Sequence, residues 1–217
     1  MLKYRRLIFL PLMLLCAAVL YFGVFFPPVS VPQLVVTHDA DGDGVYDLAD
    51  LVDGARQSVA AGLTYKSAYY KGGYPPETEG VCTDLIWRAY RAAGWDLKAL
   101  VDADIASDPA AYPRTNGTPD PNIDFRRVEN LNIFFSRNAE VLTTTLVPRD
   151  AENLAQWQGG DIVVVDGHIG MLSNRRNRNG VPYVIHHPNG KPREENILEL
   201  WAKTGRIDGH YRYLPEG

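Results

Sequence analysis

The sequence predicts an α+β fold in which helices come first and an antiparallel sheet follows. Two observations carry this. In three stretches before residue 136, from Leu48 to Val59, Leu85 to Ala93 and Val128 to Phe135, the apolar residues recur at helical spacing. From Ile162 onward they fall instead in short runs bounded by Gly, Asn and Asp, the pattern of strands and hairpins. The length, 217 residues, suits one domain with appendages. With 22 basic and 26 acidic residues and a formal charge of −4, and no basic block beyond the N-terminal tip, no nucleic-acid partner is expected.

Residues 7–26 carry no charge and follow Lys3, Arg5 and Arg6. At ~1.5 Å per residue such a helix spans about the ~30 Å hydrocarbon core of a bilayer, and a basic flank marks the cytoplasmic side. The stretch ends Phe25-Phe26-Pro27-Pro28 with no small-x-small cleavage site, and Leu15 precedes Cys16 where a lipoprotein signal carries a small residue. The expectation is an uncleaved signal anchor: a cytoplasmic tip at 1–6, a single membrane pass at 7–26, and an extracytoplasmic remainder. Residues 27–38, with Pro27, Pro28 and Pro32, read as an extended linker, and Leu34-Val35-Val36 as a strand.

Residues 39–50 place oxygen side chains at loop positions one, three, five, nine and twelve: Asp39, Asp41, Asp43, Asp47 and Asp50. Gly44 stands at position six and Val45 at seven, where the backbone carbonyl binds. This is the spacing of a twelve-residue calcium loop, and the ion would be structural. Aspartate at position twelve and a strand-like lead-in resemble dockerin loops more than EF-hands. The alternative is an Asp/Gly turn that starts the next helix.

That helix is expected through Leu48, Leu51, Val52, Ala55 and Val59. Tyr65 to Pro76 reads as loop, rich in tyrosine, glycine and proline. Leu85, Ile86, Ala89, Ala92 and Ala93 then line one face of a helix stopped by Gly94 and begun at Cys82. The turn signals between 102 and 124 predict an irregular surface segment, and Val128, Leu131, Phe134 and Phe135 another amphipathic helix. Strands are expected at Ile162–Val165, His168–Leu172 and Val181–His186, with a polar hairpin at 174–180 and Arg212-Tyr213-Leu214 closing the sheet.

Cys82 is the candidate nucleophile. The unpaired N–H groups and dipole of a helix N-terminus favour a thiolate; the alternative is a small buried hydrophobe. Cys16 lies in the uncharged stretch, so the exported part has no disulfide partner for Cys82, and an unpaired thiol there is a liability unless it is used. A thiolate needs a base and a group to orient that base. His168 opens one strand after a glycine, and His186 ends the strand expected beside it.

These residues resemble a known clan. Tyr70-Lys71-Gly72-Gly73, Cys82, Gly160-Asp161-Ile162-Val163, His168-Ile169-Gly170-Met171 and Ile185-His186 follow the order of NlpC-type cysteine peptidases, papain-like hydrolases of bacterial cell-wall peptides. Gly80-Val81-Cys82-Thr83-Asp84, Asp120-Pro121-Asn122-Ile123-Asp124 with Arg126-Arg127-Val128, and Val184-Ile185-His186 are similar to an uncharacterised envelope-protein family placed in the same clan. The resemblance covers roughly residues 50–214 and implies a papain-like domain over 51–217. It makes Cys82 the nucleophile, His168 the general base and acid, and His186 its orienter, with His187 and Asn189 as rivals for the third role. The Cys82 N–H and Tyr70 would hold the oxyanion. Val81-Cys82-Thr83-Asp84 departs from the peptidases' Asp-Cys-Ser-Gly. Arg126 and Arg127 are expected either to grip substrate carboxylates or to serve as structural ion pairs.

The leading expectation is therefore a membrane-anchored cysteine hydrolase of peptidoglycan peptides, needing no cofactor for catalysis. A papain-like acyltransferase, a non-catalytic envelope binding module stabilised by calcium, and a calcium-dependent adhesin-like part are the alternatives.

Overall fold

A computed structural model describes residues 27–205 and 207–215 of the chain. It is a mixed α and β structure with helices and an antiparallel sheet. The uncharged 7–26 stretch lies outside the described residues. Among those described, no helix is long and apolar enough to cross a membrane. The longest, 15 residues, carries Asp47, Asp50, Asp53 and Arg56 and falls short of the ~20 apolar residues a span needs. The expected single-pass membrane placement is corrected on this finding.

Helix α1 (Asp47–Ala61) buries Leu48, Leu51, Val52 and Ala55 and ends at Gly62 in the left-handed region. A two-residue strand, β1 (Thr64–Tyr65), pairs in parallel with β2 (Glu79–Gly80), which leads into α2 (Cys82–Ala92). Helix α3 (Leu97–Ser107) occupies ground expected to be irregular from residue 102. Leu97, Val101 and Ile105 bury its inner face, and the Asp96 carboxylate accepts the Ala99 N–H at its start. Short 3-10 turns at Pro109–Ala111, Pro113–Thr115 and Asp124–Arg126 lead to α4 (Val128–Asn138). Leu34-Val35-Val36 forms no strand; Leu34 N–H donates to Gln158 instead, so the linker runs against the domain.

The remaining elements are β3 (Glu140–Val141), α5 (Ala151–Leu154), β4 (Ile162–Val165), β5 (His168–Arg176), β6 (Pro182–His186), β7 (Arg193–Glu195), α6 (Leu198–Thr204) and β8 (Ile207–Arg212). The sheet order is β3-β8-β4-β5-β6-β7, antiparallel throughout. The C-terminal strand thus begins earlier than expected and lies inside the sheet.

Alternation gives the sheet two faces. Ile162, Val164, Ile169, Met171 and Ile185 pack with α1, α2 and α4 in the main core. Val163, Leu172, Val184 and Ile207 form a second core with Leu154, Trp157 and Leu198. Cys82, Leu85, Ile86, Ala89 and Tyr90 all lie in the main core, so α2 is held along its length against the sheet.

Candidate functional site

β4 and β5 are joined by Asp166-Gly167, both at positive φ (45° and 71°), with Val165 opposite His168. That is the geometry of a tight two-residue hairpin, and it presents His168 at the mouth of the sheet. Gly170 faces His186 across the β5–β6 pair. A Cβ at Gly170 would come within 2.6 Å of Val184 and 3.2 Å of His186, so only glycine leaves room for the two imidazoles to meet. His168 Nε2 lies 2.8 Å from His186 Nδ1. His186 Nε2 lies in turn 2.8 Å from Glu195 Oε1, on β7.

The chain of contacts assigns the protons. An ionised Glu195 only accepts, so His186 carries its proton on Nε2 and offers a lone pair at Nδ1. His168 then donates from Nε2 and keeps its own lone pair on Nδ1. Burial, with the neighbouring His186 and His187, pushes the His168 pKa down to about 4, so its ring is neutral at pH 7. His186 is also pushed down by burial, against an upward pull from Glu195. Trp201 of α6 stands edge-on to both rings, 5.7 and 5.2 Å between centroids.

Cys82 reaches the same strand from the helix side. It is 7 % exposed, and the backbone N–H of Ile169, the residue after His168, points at its sulfur. Burial pushes the thiol up to about 11, with Asp84 adding to the rise, so the resting group is a thiol and the expected thiolate is absent. No hydrogen bond joins the sulfur to an imidazole among the described residues. His168 and His186 belong to the sheet face opposite Ile169; His187 follows them in the chain on the helix side, with Nδ1 buried and unpartnered and Nε2 3.4 Å from the Gly190 carbonyl. A cleft of about 690 Å³ wraps this end of the sheet, bordered by Tyr65, His168, His186, His187, Arg193 and Trp201. Asn189 also borders it.

Tyr70 does not face this cleft. Its hydroxyl donates to Glu79 at 2.6 Å, and the Arg126 guanidinium lies 4.9 Å over its ring. Tyr65 borders the cleft instead. Its half-buried ring meets His187 edge-on at 5.4 Å, and burial with the proximity of Cys82 raises its pKa.

The two arginines expected as either substrate grips or structural pairs are structural. Arg126 donates through Nε and Nη2 to both oxygens of Asp84, at 2.7 and 2.8 Å, in full burial. Asp84 also accepts the Val81 N–H, closing the first turn of α2, and Thr83 donates to the Arg126 carbonyl. Arg127 pairs with Asp124 at 2.9 Å and donates to the Arg114 carbonyl. The residues around Cys82 and Asp120–Asp124 thus build the mount for the α2 start.

In the acidic loop, Asp39, Asp41 and Asp43 each offer an oxygen within 4.8 Å of the others. Gly44 takes φ 93°, as a sharp turn at position six requires. Burial and the charges of Asp43, Asp41, Asp47 and Asp39 raise Asp50 to about 6, and its Oδ2 is shielded without a partner. Asp47 departs from the expected set: its carboxylate is buried on His38 Nδ1 at 2.5 Å and the Ala40 N–H at 2.9 Å.

A family described as a domain of unknown function, DUF1287, matches residues 52–213. The chain belongs to this family. It is also 41 % identical over 196 residues to the uncharacterized protein YijF of Escherichia coli strain K12, covering 85 % of this chain and 88 % of that one. No solved structure matches the chain.

Proposed function

We propose that the protein is a cysteine hydrolase of papain-like, NlpC-like type that cleaves an amide bond in peptidoglycan peptides. The observation that carries this is the Glu195–His186–His168 relay, which ends in a neutral imidazole one residue before Ile169, whose N–H meets the Cys82 sulfur on the other face of the same strand. The thiol proton passes to His168 Nδ1 as sulfur attacks the carbonyl carbon. The oxyanion is held by the Cys82 N–H and the Tyr65 hydroxyl. Collapse of the tetrahedral intermediate breaks the C–N bond, and His168 returns the proton to the leaving amine. Water, deprotonated by the same ring, then releases the acid and restores the thiol. Thiol and imidazole rest on opposite faces of β5 at the sheet mouth, so the transfer requires the His168 side chain to turn toward the sulfur as substrate enters the cleft, in keeping with the looser geometry of unliganded sites. The order of motifs shared with the NlpC-type peptidases supports the substrate class.

Muropeptide digestion followed by mass spectrometry tests the reading. Cys82→Ala and His168→Ala are expected to lose turnover by at least ~10³-fold with an unchanged circular dichroism spectrum, and Glu195→Gln to lose about 10-fold. Digestion by either of the first two at the parent's rate would overturn it. A second reading is favoured by the burial of the thiol and its lack of an imidazole partner: a non-catalytic module that binds wall fragments in the same cleft. It predicts binding without turnover, unchanged by Cys82→Ala.

The acidic loop is proposed to take a structural calcium ion. Asp39, Asp41, Asp43 and Asp50 fit it as hard oxygen donors. Asp47, turned to His38, would act through water, as position nine often does.

A further inference from the structure

On the far side of α6 from the catalytic cleft lies a groove of about 760 Å³, formed with the hairpin that joins β5 to β6. Arg175, Arg176 and Lys203 border it, against one carboxylate, Glu199; Arg178 also borders it and is itself engaged. In a chain of net charge −4 this is a local excess of positive charge. Glu199 is already engaged: it accepts from the side-chain amides of Asn177 and Asn179, each at 3.0 Å, and lies 3.5 Å from Lys203.

The arginines are set rather than loose. The Arg175 guanidinium lies 4.3 Å over the Tyr183 ring, and no ion pair engages it among the described residues. Such stacking fixes the plane of the fork while leaving its N–H edge for a ligand. Arg176 donates through Nη1 to the Gly180 carbonyl at 2.8 Å and through Nη2 to the Trp157 carbonyl at 2.5 Å. Its Nε is shielded and has no partner. Its hydrogen bonds go to two neutral carbonyls, and burial pushes its pKa below the usual arginine value against an upward pull from the Asp161 charge.

We propose that this groove is a binding site for a phosphate-bearing ligand of roughly sugar-phosphate size. A phosphoryl group offers three acceptor oxygens and more than one negative charge, which matches clustered guanidinium forks better than a single carboxylate does. The site is separate from the cleft at His168 and independent of the hydrolase reading.

Calorimetric titration of the full chain with pyrophosphate, at ionic strength matched with chloride, tests it. A Kd of about 1 mM or tighter is expected, weakened at least ~10-fold by Arg175→Glu and less by Lys203→Glu, both exposed and outside the cores. Turnover of muropeptides is measured on the same variants and should be unchanged, so failure of either proposal is seen separately. Absence of heat with pyrophosphate, a Kd unchanged in both variants, or tighter binding of citrate than of pyrophosphate would each overturn the assignment.

Discussion

Two helix N-termini in this molecule carry acidic or nucleophilic groups, and they come out oppositely. At α1 the preceding loop gathers Asp39, Asp41 and Asp43 in the open, with Asp50 behind them. At α2 the helix start is buried, and the group of interest, Cys82, keeps its proton. Both ends have the same free N–H groups and the same dipole. At α2, however, Asp84 already fills the role of the anion: it caps the Val81 N–H and is neutralised by Arg126. Burial is the main obstacle to a second anion on the sulfur, and the Asp84 charge adds to it. A helix end favours a negative charge only while water or a countercharge is at hand and no other anion has taken the place.

The largest effect that could break this comparison is expected from Asp84→Asn. It leaves the Arg126 guanidinium buried without its countercharge, so stability should fall by about 3–5 kcal/mol in urea denaturation. The same change removes one cause of the high thiol pKa. A variant of parental stability would show that Asp84 does not hold the α2 start.

The histidine relay gives the next effect. A neutral, buried His168 has a folded pKa near 4, below its unfolded value of 6.5. Between those pH values the unfolded chain binds a proton that the folded one does not. Its contribution is therefore complete above pH 6.5 and is lost as pH falls through 4, by up to about 3 kcal/mol. Melting temperature against pH should drop over this window, and less steeply in His168→Gln. Equal slopes would place the acid sensitivity elsewhere.

At the α1 end, removal of calcium should act on stability alone. For a site filled at about tenfold over its Kd, chelation costs about 1.4 kcal/mol, a fall in Tm of roughly 3–6 °C. No change in Tm on adding chelator would remove the calcium site from the account. The smallest effect is on the thiol: alkylation of Cys82 by iodoacetamide should be slower at pH 7 than that of a free cysteine peptide and rise toward pH 11. Rapid alkylation at pH 7 would mean that α2 favours the thiolate after all.

Much of the framework was legible in the residues. Leu48, Leu51 and Val52 marked α1, Leu85, Ile86 and Ala89 marked α2, and the run Ile162–Val165 marked β4, because each buries one continuous face and so repeats with the period of its element. Helix α3 was masked by the Asp-Pro and Asn-Gly turns that crowd residues 108–122, although Leu97, Val101 and Ile105 keep helical spacing. The Asp166-Gly167 turn was a readable signal for the position of His168 at the mouth of the sheet.

The identity of the chemical groups, Cys82, His168 and His186 among them, and the coarse order of helices before strands are determined by the sequence, since residue type and periodicity are local properties. The partners of those groups are not local. Glu195 enters the site only because β7 pairs with β6 with His186 opposite Arg193, which sets Glu195 on the diagonal. Tyr65 rather than Tyr70 borders the cleft because β1 pairs with β2 and carries it there, while Tyr70 is drawn to Glu79 and Arg126. Arg126 is withdrawn from any substrate by Asp84, 42 residues away in the chain. Register, burial and pairing across such distances arise only when the chain closes on itself, and they alone decide which of the legible residues are charged, paired or free.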